Sequence, residues 1–187
     1  MLIGLLGVVP YSYAIRQKSR YRNFREVEAG VLYRSGQLPL DTFSRVVAEH
    51  GIRTVISLRD SYTDGPPPDL DEEIFCKAQG IRHVRISPEA WSTPDGQVPA
   101  AEGVRQFVRL MDERDQLKPI LIHCFAGIHR TGAHVAVYRM EFQGWSVQEA
   151  ISEMMTIQPR RSQFEDDLLG FLRHYQPRQR SQNSICP

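Results

Sequence analysis

The sequence predicts an α/β fold: a central, mainly parallel sheet of four to five strands with helices on both faces. Two observations carry this expectation. From residue 30 onward, short apolar and β-branched runs alternate with stretches whose apolar residues recur at helical spacing. Glycine or proline stands at most of the junctions between them. Strands that alternate with helices pair in parallel, and the connecting helices cover both faces of the sheet.

Composition narrows the function classes. The 187 residues suit one domain, and 41% hydrophobic with 24% charged residues is ordinary for a globular protein. Lys plus Arg number 23 and Asp plus Glu 22, so no basic footprint for nucleic acid exists. The three cysteines, Cys76, Cys124 and Cys186, are far apart and form neither a disulfide framework nor a zinc spacing. A reducing compartment fits them best.

In chain order, residues 2–15 are mostly apolar (Leu2, Ile3, Leu5, Leu6, Val8, Val9), and Arg16, Lys18, Arg20, Arg22 and Arg25 follow. The run is shorter than the roughly 20 residues of a spanning helix. Its charge comes after the apolar stretch, where a secretory signal carries it before. Two readings stay open: an N-terminal membrane anchor, which the positive charges would orient with the rest of the chain in the cytoplasm, or an apolar disordered tail. Residues 1–22 are set apart on this ground, residues 23–176 are the expected domain, and residues 177–187 read as a disordered tail.

Within the domain, residues 31–34 read as a short strand. Residues 41–50 read as a helix with Phe43, Val46, Val47 and His50 on one face, ended by Gly51. IRTVISL at 52–58 is a buried strand, and DGPPP at 64–68 a loop. Residues 69–79 form a helix that Gly80 stops, and residues 81–86 a further strand. Residues 87–98, rich in Pro, Ser, Asp and Gly, read as a mobile loop. Pro99 opens a helix whose buried stripe is Val104, Phe107, Val108 and Met111. After Pro119, ILIHC at 120–124 is an apolar strand. Residues 131–143 form a helix ended by Gly144. Ser146 and Glu149 form a capping box for the next helix, which Pro159 closes. Residues 164–175 form the last helix, with Leu168, Leu169, Phe171 and Leu172 as its apolar side.

Ligands of such sheets bind beyond the carboxyl ends of the strands, and Cys124 sits at the carboxyl end of one. The segment His123-Cys124-Phe125-Ala126-Gly127-Ile128-His129-Arg130-Thr131-Gly132 joins that strand to a helix. Gly127 permits a conformation that other residues resist, and the helix start favours anions through its unpaired amides and its dipole. An anion cradle is expected, with Cys124 at its base and its thiol pKa depressed. The Arg130 guanidinium can hold two oxygens of a phosphate. The Thr131 hydroxyl can donate to the sulfur. Cys76 reads as a core residue, and Cys186 lies in the tail.

HCFAGIHRTG agrees at every fixed position with H-C-x-x-G-x-x-R-[ST]-G, and so resembles the signature of the cysteine-dependent protein tyrosine phosphatase superfamily. NFREVEAGVLYRSGQLPLDTF and GIRTVISLR are similar to its compact dual-specificity branch, and the likeness runs from about residue 23 to residue 175. The resemblance implies a tyrosine or dual-specificity phosphatase fold and hydrolysis of a phosphomonoester. Cys124 would be the nucleophile, forming a phosphocysteine, and Arg130 the clamp. Phe125, Ala126, Gly127, Ile128, His129 and Arg130 would bind the phosphate, with His123 and Thr131 supporting. The general acid of this superfamily is an aspartate on a mobile loop, and Asp95 in the 87–98 loop is the expected residue. Glu89 and Asp60 compete with it, and a turn role for Asp95 stays open.

Phosphotyrosine in a protein is the first expected substrate, with an inositol polyphosphate or pyrophosphate second. Inositol-directed relatives often carry a basic residue where Ile128 stands, which weakens that reading, whereas His129, Arg160 and Arg161 sustain it. A rhodanese-like sulfurtransferase or an inert phosphate-binding module are further alternatives. Neither explains Cys124 and Arg130 at this spacing as well. No metal or cofactor is expected, because thiolate, guanidinium and amides supply the charge stabilisation.

Overall fold

A computed structural model describes residues 21–59, 65–157 and 163–178, with the side chains of 163–165 left aside. The apolar run at 2–15, Asp60, Arg160, Arg161, Pro159 and Cys186 lie outside these residues. No helix among the described residues is long and apolar enough to cross a membrane.

Five strands form one sheet: β1 (Arg25–Glu28), β2 (Leu32–Gly36), β3 (Thr54–Ser57), β4 (Arg82–Arg85) and β5 (Ile120–Cys124). Their order across the sheet is β1-β2-β5-β3-β4. All neighbours pair in parallel except β1 and β2. The expected strand at 31–34 is β2, shifted by a residue or two. The antiparallel β1 escaped the sequence because REVE offers a single apolar residue, Val27. An edge strand with a bulge between Glu26 and Glu28 needs no more.

The helices among the described residues are α1 (Leu40–His50), α2 (Leu70–Ala78), α3 (Ala100–Asp112), α4 (Arg114–Leu117), α5 (His129–Gln143), α6 (Val147–Met155) and α7 (Gln163–His174). They cover both faces, as the alternation of strands and helices predicts. Because successive strand residues face opposite ways, Leu121 of β5, Val55 of β3 and Tyr33 of β2 join Phe43, Val46 and Val47 of α1 and Cys76 of α2 in one core. Ile120, Ile122 and Cys124 face the other way with Leu32 and Ile56. There they meet Val104, Phe107, Val108 and Met111 of α3 and Val135, Ala136 and Tyr138 of α5. The central strand β5 is buried along its whole length.

Local signals end the helices where expected. Gly51 and Gly144 adopt left-handed φ values of 61° and 71° at the ends of α1 and α5. Ser146 accepts from the Glu149 N–H while the Glu149 carboxylate accepts from the Ser146 N–H, completing the capping box of α6. Asp69 stands at the start of α2. Its side chain caps no helical N–H and instead accepts from Arg85 of β4 at 2.8 Å, tying helix to strand. Tyr21 and Arg22, on the tail side of the expected boundary, bond into the domain: the Tyr21 and Arg22 carbonyls accept from the Phe24 and Gly36 N–H groups. At the other end, Arg178 pairs with Glu141 and Asp112.

Candidate active site

Parallel register brings Gly36 of β2 alongside Cys124, and Ser57 of β3 alongside His123, so three strand ends converge on one spot. The connection from β5 to α5 closes over it. Its peptide units are fixed from outside: the Phe125 carbonyl accepts from the Gln37 N–H at 3.0 Å. The Ala126 carbonyl accepts from Asn23 Nδ2 at 3.0 Å, and the Gly127 carbonyl from Arg34 Nη2 at 2.7 Å. A trans peptide holds C=O and N–H in opposite directions, so carbonyls drawn outward turn the following amides toward the sulfur. The Gly127 N–H donates to Cys124 Sγ at 3.2 Å.

Two glycines make this approach feasible. Gly127 has φ +71°, and a Cβ there would stand 2.3 Å from the Gly36 nitrogen. A Cβ on Gly36 would lie 2.8 Å from the Phe125 oxygen and the Ala126 carbonyl carbon. The loop is thus pressed backbone to backbone on β2.

Cys124 is 5% exposed. Burial alone would raise its pKa. Donation from Thr131, from the Gly127 N–H and the charge of Arg130 outweigh it and hold the thiol below its ordinary value. The Thr131 hydroxyl is buried, and it acts on the Cys124 sulfur in the direction that favours the thiolate. Cys76 shows the contrast: burial first, then Glu72 and Glu73, push its thiol up to about 12. It is the core residue the sequence suggests.

Arg130 stands in the first turn of α5, half-buried, and its Nη1 donates to the Leu58 carbonyl at 2.9 Å. Ile128 and His129 are half-buried at the helix start, and Phe125 is 55% exposed at the rim. His123 is fully buried, and its Nε2 lies 2.9 Å from Oε2 of the equally buried Glu72 on α2. Burial opposes the charged ring, but the Glu72 carboxylate and then the neighbouring Cys124 prevail and raise its pKa.

The 87–98 loop holds the two acid candidates differently. Asp95 is at the tip, accepting from the Thr93 hydroxyl and from Gln97 Nε2 at 2.8 Å. The Thr93 bond above all holds its carboxyl below the usual range. Glu89 lies on a narrow pocket shared with Arg130, Leu58, Ile86, Trp91 and His134; Asp95 does not line it. Trp91 is 4% exposed against α5 and α7, and the Ala90 carbonyl accepts from the Ala100 N–H at 2.9 Å, so the Glu89 segment is anchored. No cluster of three or more His, Cys, Asp or Glu suited to a metal ion occurs among the described residues.

The structure therefore assembles Cys124, Gly127, Arg130, Thr131 and His123 in one place, as their spacing predicts. Sequence reasoning missed Arg34, Asn23, Gly36 and Glu72. Of these only Arg34 and Glu72 left a trace, as charged residues inside an apolar strand and on a helix packed to the core.

Comparison with known proteins agrees with this geometry. The profile of the family described as "PTP-NADK: DSP-PTPase phosphatase fused to NAD+ Kinase" matches residues 8–169. "Inositol diphosphatase DSP3" of Arabidopsis thaliana is 32% identical over 132 residues, 70% of this chain and 60% of that protein. "Dual specificity protein phosphatase TpbA" of Pseudomonas aeruginosa PAO1 is 39% identical over 124 residues, 66% of this chain and 49% of that protein. The chain spans less than two thirds of the length of either. The crystal structure of P. aeruginosa TpbA superposes with a TM-score of 0.63 at 23% identity, over 82% of this chain and 85% of that one, and shares the fold.

Proposed function

The chain belongs to the DSP-PTPase phosphatase family, the compact dual-specificity branch of the cysteine-dependent tyrosine phosphatase superfamily, and from that membership we propose that it hydrolyses phosphomonoesters through a phosphocysteine. One observation carries the reading: the Cys124 sulfur lies beneath an inward-turned Gly127 amide and the Thr131 hydroxyl, with the Arg130 charge beside it.

The thiolate attacks phosphorus as the ester oxygen leaves, and a carboxyl of the 87–98 loop protonates that oxygen. Loop amides and Arg130 stabilise the equatorial oxygens throughout. Water activated by the same carboxyl, now a base, then attacks phosphocysteine. The departing thiolate is received by the Thr131 hydroxyl and the Gly127 amide, and inorganic phosphate is released.

Phosphotyrosine in a protein is the leading substrate, with phosphoserine and phosphothreonine as further ones. An inositol polyphosphate or pyrophosphate is the second reading, favoured by the similarity to DSP3. Membrane attachment through residues 2–15, with the catalytic domain on the cytoplasmic side, rests on the apolar run and the charges behind it.

Cys124→Ser tests the central claim. Hydrolysis of p-nitrophenyl phosphate and of a phosphotyrosine peptide should fall to background while the far-UV spectrum stays native. Hydrolysis that survives in this variant removes the proposal.

A further inference from the structure

Phe125 follows the nucleophile directly, yet its ring is more than half exposed. Two arginines flank it. The Arg22 guanidinium lies 5.2 Å and the Arg59 guanidinium 5.1 Å from the ring centroid. Both distances suit attraction of a cation to an aromatic face. Among the described residues neither arginine is paired with a carboxylate, and Arg59 Nε is buried without a hydrogen-bond acceptor.

Both arginines are anchored on backbone that touches the cradle. Arg22 has φ 36° and the following Asn23 φ 61°, two successive non-glycine residues in the left-handed region. Such conformations persist where the surroundings over-determine them, and they concentrate at functional positions. Here the Arg22 carbonyl accepts from the Gly36 N–H at 2.6 Å, and Asn23 donates to the Ala126 carbonyl. Phe24 stacks on Tyr33 at 5.9 Å and holds the segment from the other side. Arg59 follows Leu58, whose N–H donates to the His123 carbonyl and whose carbonyl holds Arg130.

With Arg130, three guanidiniums thus gather around one loop, and a phosphate in the cradle would occupy only Arg130. We propose that Arg22 and Arg59, ordered by Phe125, form a subsite for a second phosphoryl group on the substrate. This inference rests on the phosphatase reading of the same site and narrows its substrate class to molecules with a phosphoryl group near the one removed.

A cleft of about 340 Å³ adjoins Arg22 and Phe125, lined also by Gln37, Leu40, Pro68, Asp71 and Glu72. Its size suits the body of a small substrate. The Asp71 and Glu72 carboxylates repel an anion from their own part of the cleft, which confines the second phosphoryl group to the arginines. Planar guanidiniums bind phosphate oxygens in pairs.

The test is the ratio of kcat/KM on paired substrates, measured with the full chain. One pair is a small vicinal bisphosphate and its monophosphate. The other is a peptide with two adjacent phosphorylated residues and its singly phosphorylated form. The bisphosphorylated member should be preferred by tenfold or more in at least one pair, and the pair that shows it identifies the source as a free metabolite or a protein. Arg22→Gln and Arg59→Gln should each cut that ratio about tenfold, the size of one charge-assisted contact. Arg59→Lys should recover part of it. Equal rates within both pairs overturn the subsite, as does a fall in both members that leaves the ratio fixed. Absence of hydrolysis on every substrate would instead overturn the phosphatase reading itself.

Discussion

At the scale of single residues, the open choice is the proton donor. A donor must hold its proton near neutral pH and reach the leaving oxygen. Asp95 meets neither requirement as placed: the Thr93 hydroxyl and Gln97 favour its ionised form, and its carboxylate is engaged at the loop tip. Glu89 shares a pocket with Arg130 on a segment pinned by Trp91 and Ala90. For Asp95 to act, the loop would have to release it from Thr93 and Gln97 and bring the tip inward. Glu89→Gln should therefore lower kcat about 10²–10⁴-fold on an alkyl phosphate, the range for a lost general acid. The loss should be far smaller on p-nitrophenyl phosphate, whose leaving group needs no proton, and the basic limb of the pH profile should flatten. Asp95→Asn should show little of this. The reverse pattern would return the role to Asp95.

At the scale of elements, β2 supports the cradle without contributing to the chemistry. Arg34 is 3% exposed, and burial pushes its pKa down to about 10, so it stays charged at neutral pH. In the loop its Nη2 donates to the Gly127 carbonyl at 2.7 Å. Arg34→Met keeps the length of the side chain and removes the donor. The carbonyl left unpaired should cost about 1–3 kcal/mol, read as a lower denaturation midpoint. The freed peptide should weaken binding of vanadate or phosphate. Unchanged anion affinity would show that the loop holds its shape alone. This support also marks the limit of the sequence. The strand at 120–124, the helix stripe at Val104 to Met111, the Ser146 capping box and the loop spacing follow local periodicity and motif, and they were readable. Arg34, Asn23 and Gly36 act on residues about 90 or more positions away. Such pairing depends on which strands become neighbours, and order β1-β2-β5-β3-β4 is not written in any local pattern. β1 was missed for the same reason: its charged residues are at home on a sheet edge, and only the fold makes it one.

At the scale of the whole molecule, the site's geometry is tied to stability through the layer of α5 that faces α3. His134, three residues beyond Thr131 and one beyond Ala133, is fully enclosed between Trp91 and Phe107, with its Nδ1 2.8 Å from the Arg130 carbonyl. Burial lowers its pKa from 6.5 to about 4, and the Arg130 carbonyl opposes this only in part. A group depressed in the fold contributes its full stability above its unfolded pKa and loses it as pH falls toward the folded value. His123 has the opposite sign. Its pKa is raised, so its contribution is complete below its ordinary value of 6.5 and fades as pH rises through the folded value. In acid, therefore, His134 drives the loss while His123 does not. The wild-type protein should lose about 2 kcal/mol between pH 6.5 and pH 5 from His134, at 1.36 kcal/mol per unit. Urea denaturation across this range measures it. His134→Leu fills the same apolar space and should flatten that slope by close to one proton. A variant that keeps the wild-type slope would place the acid sensitivity elsewhere, and the neutral buried imidazole would have to be given up.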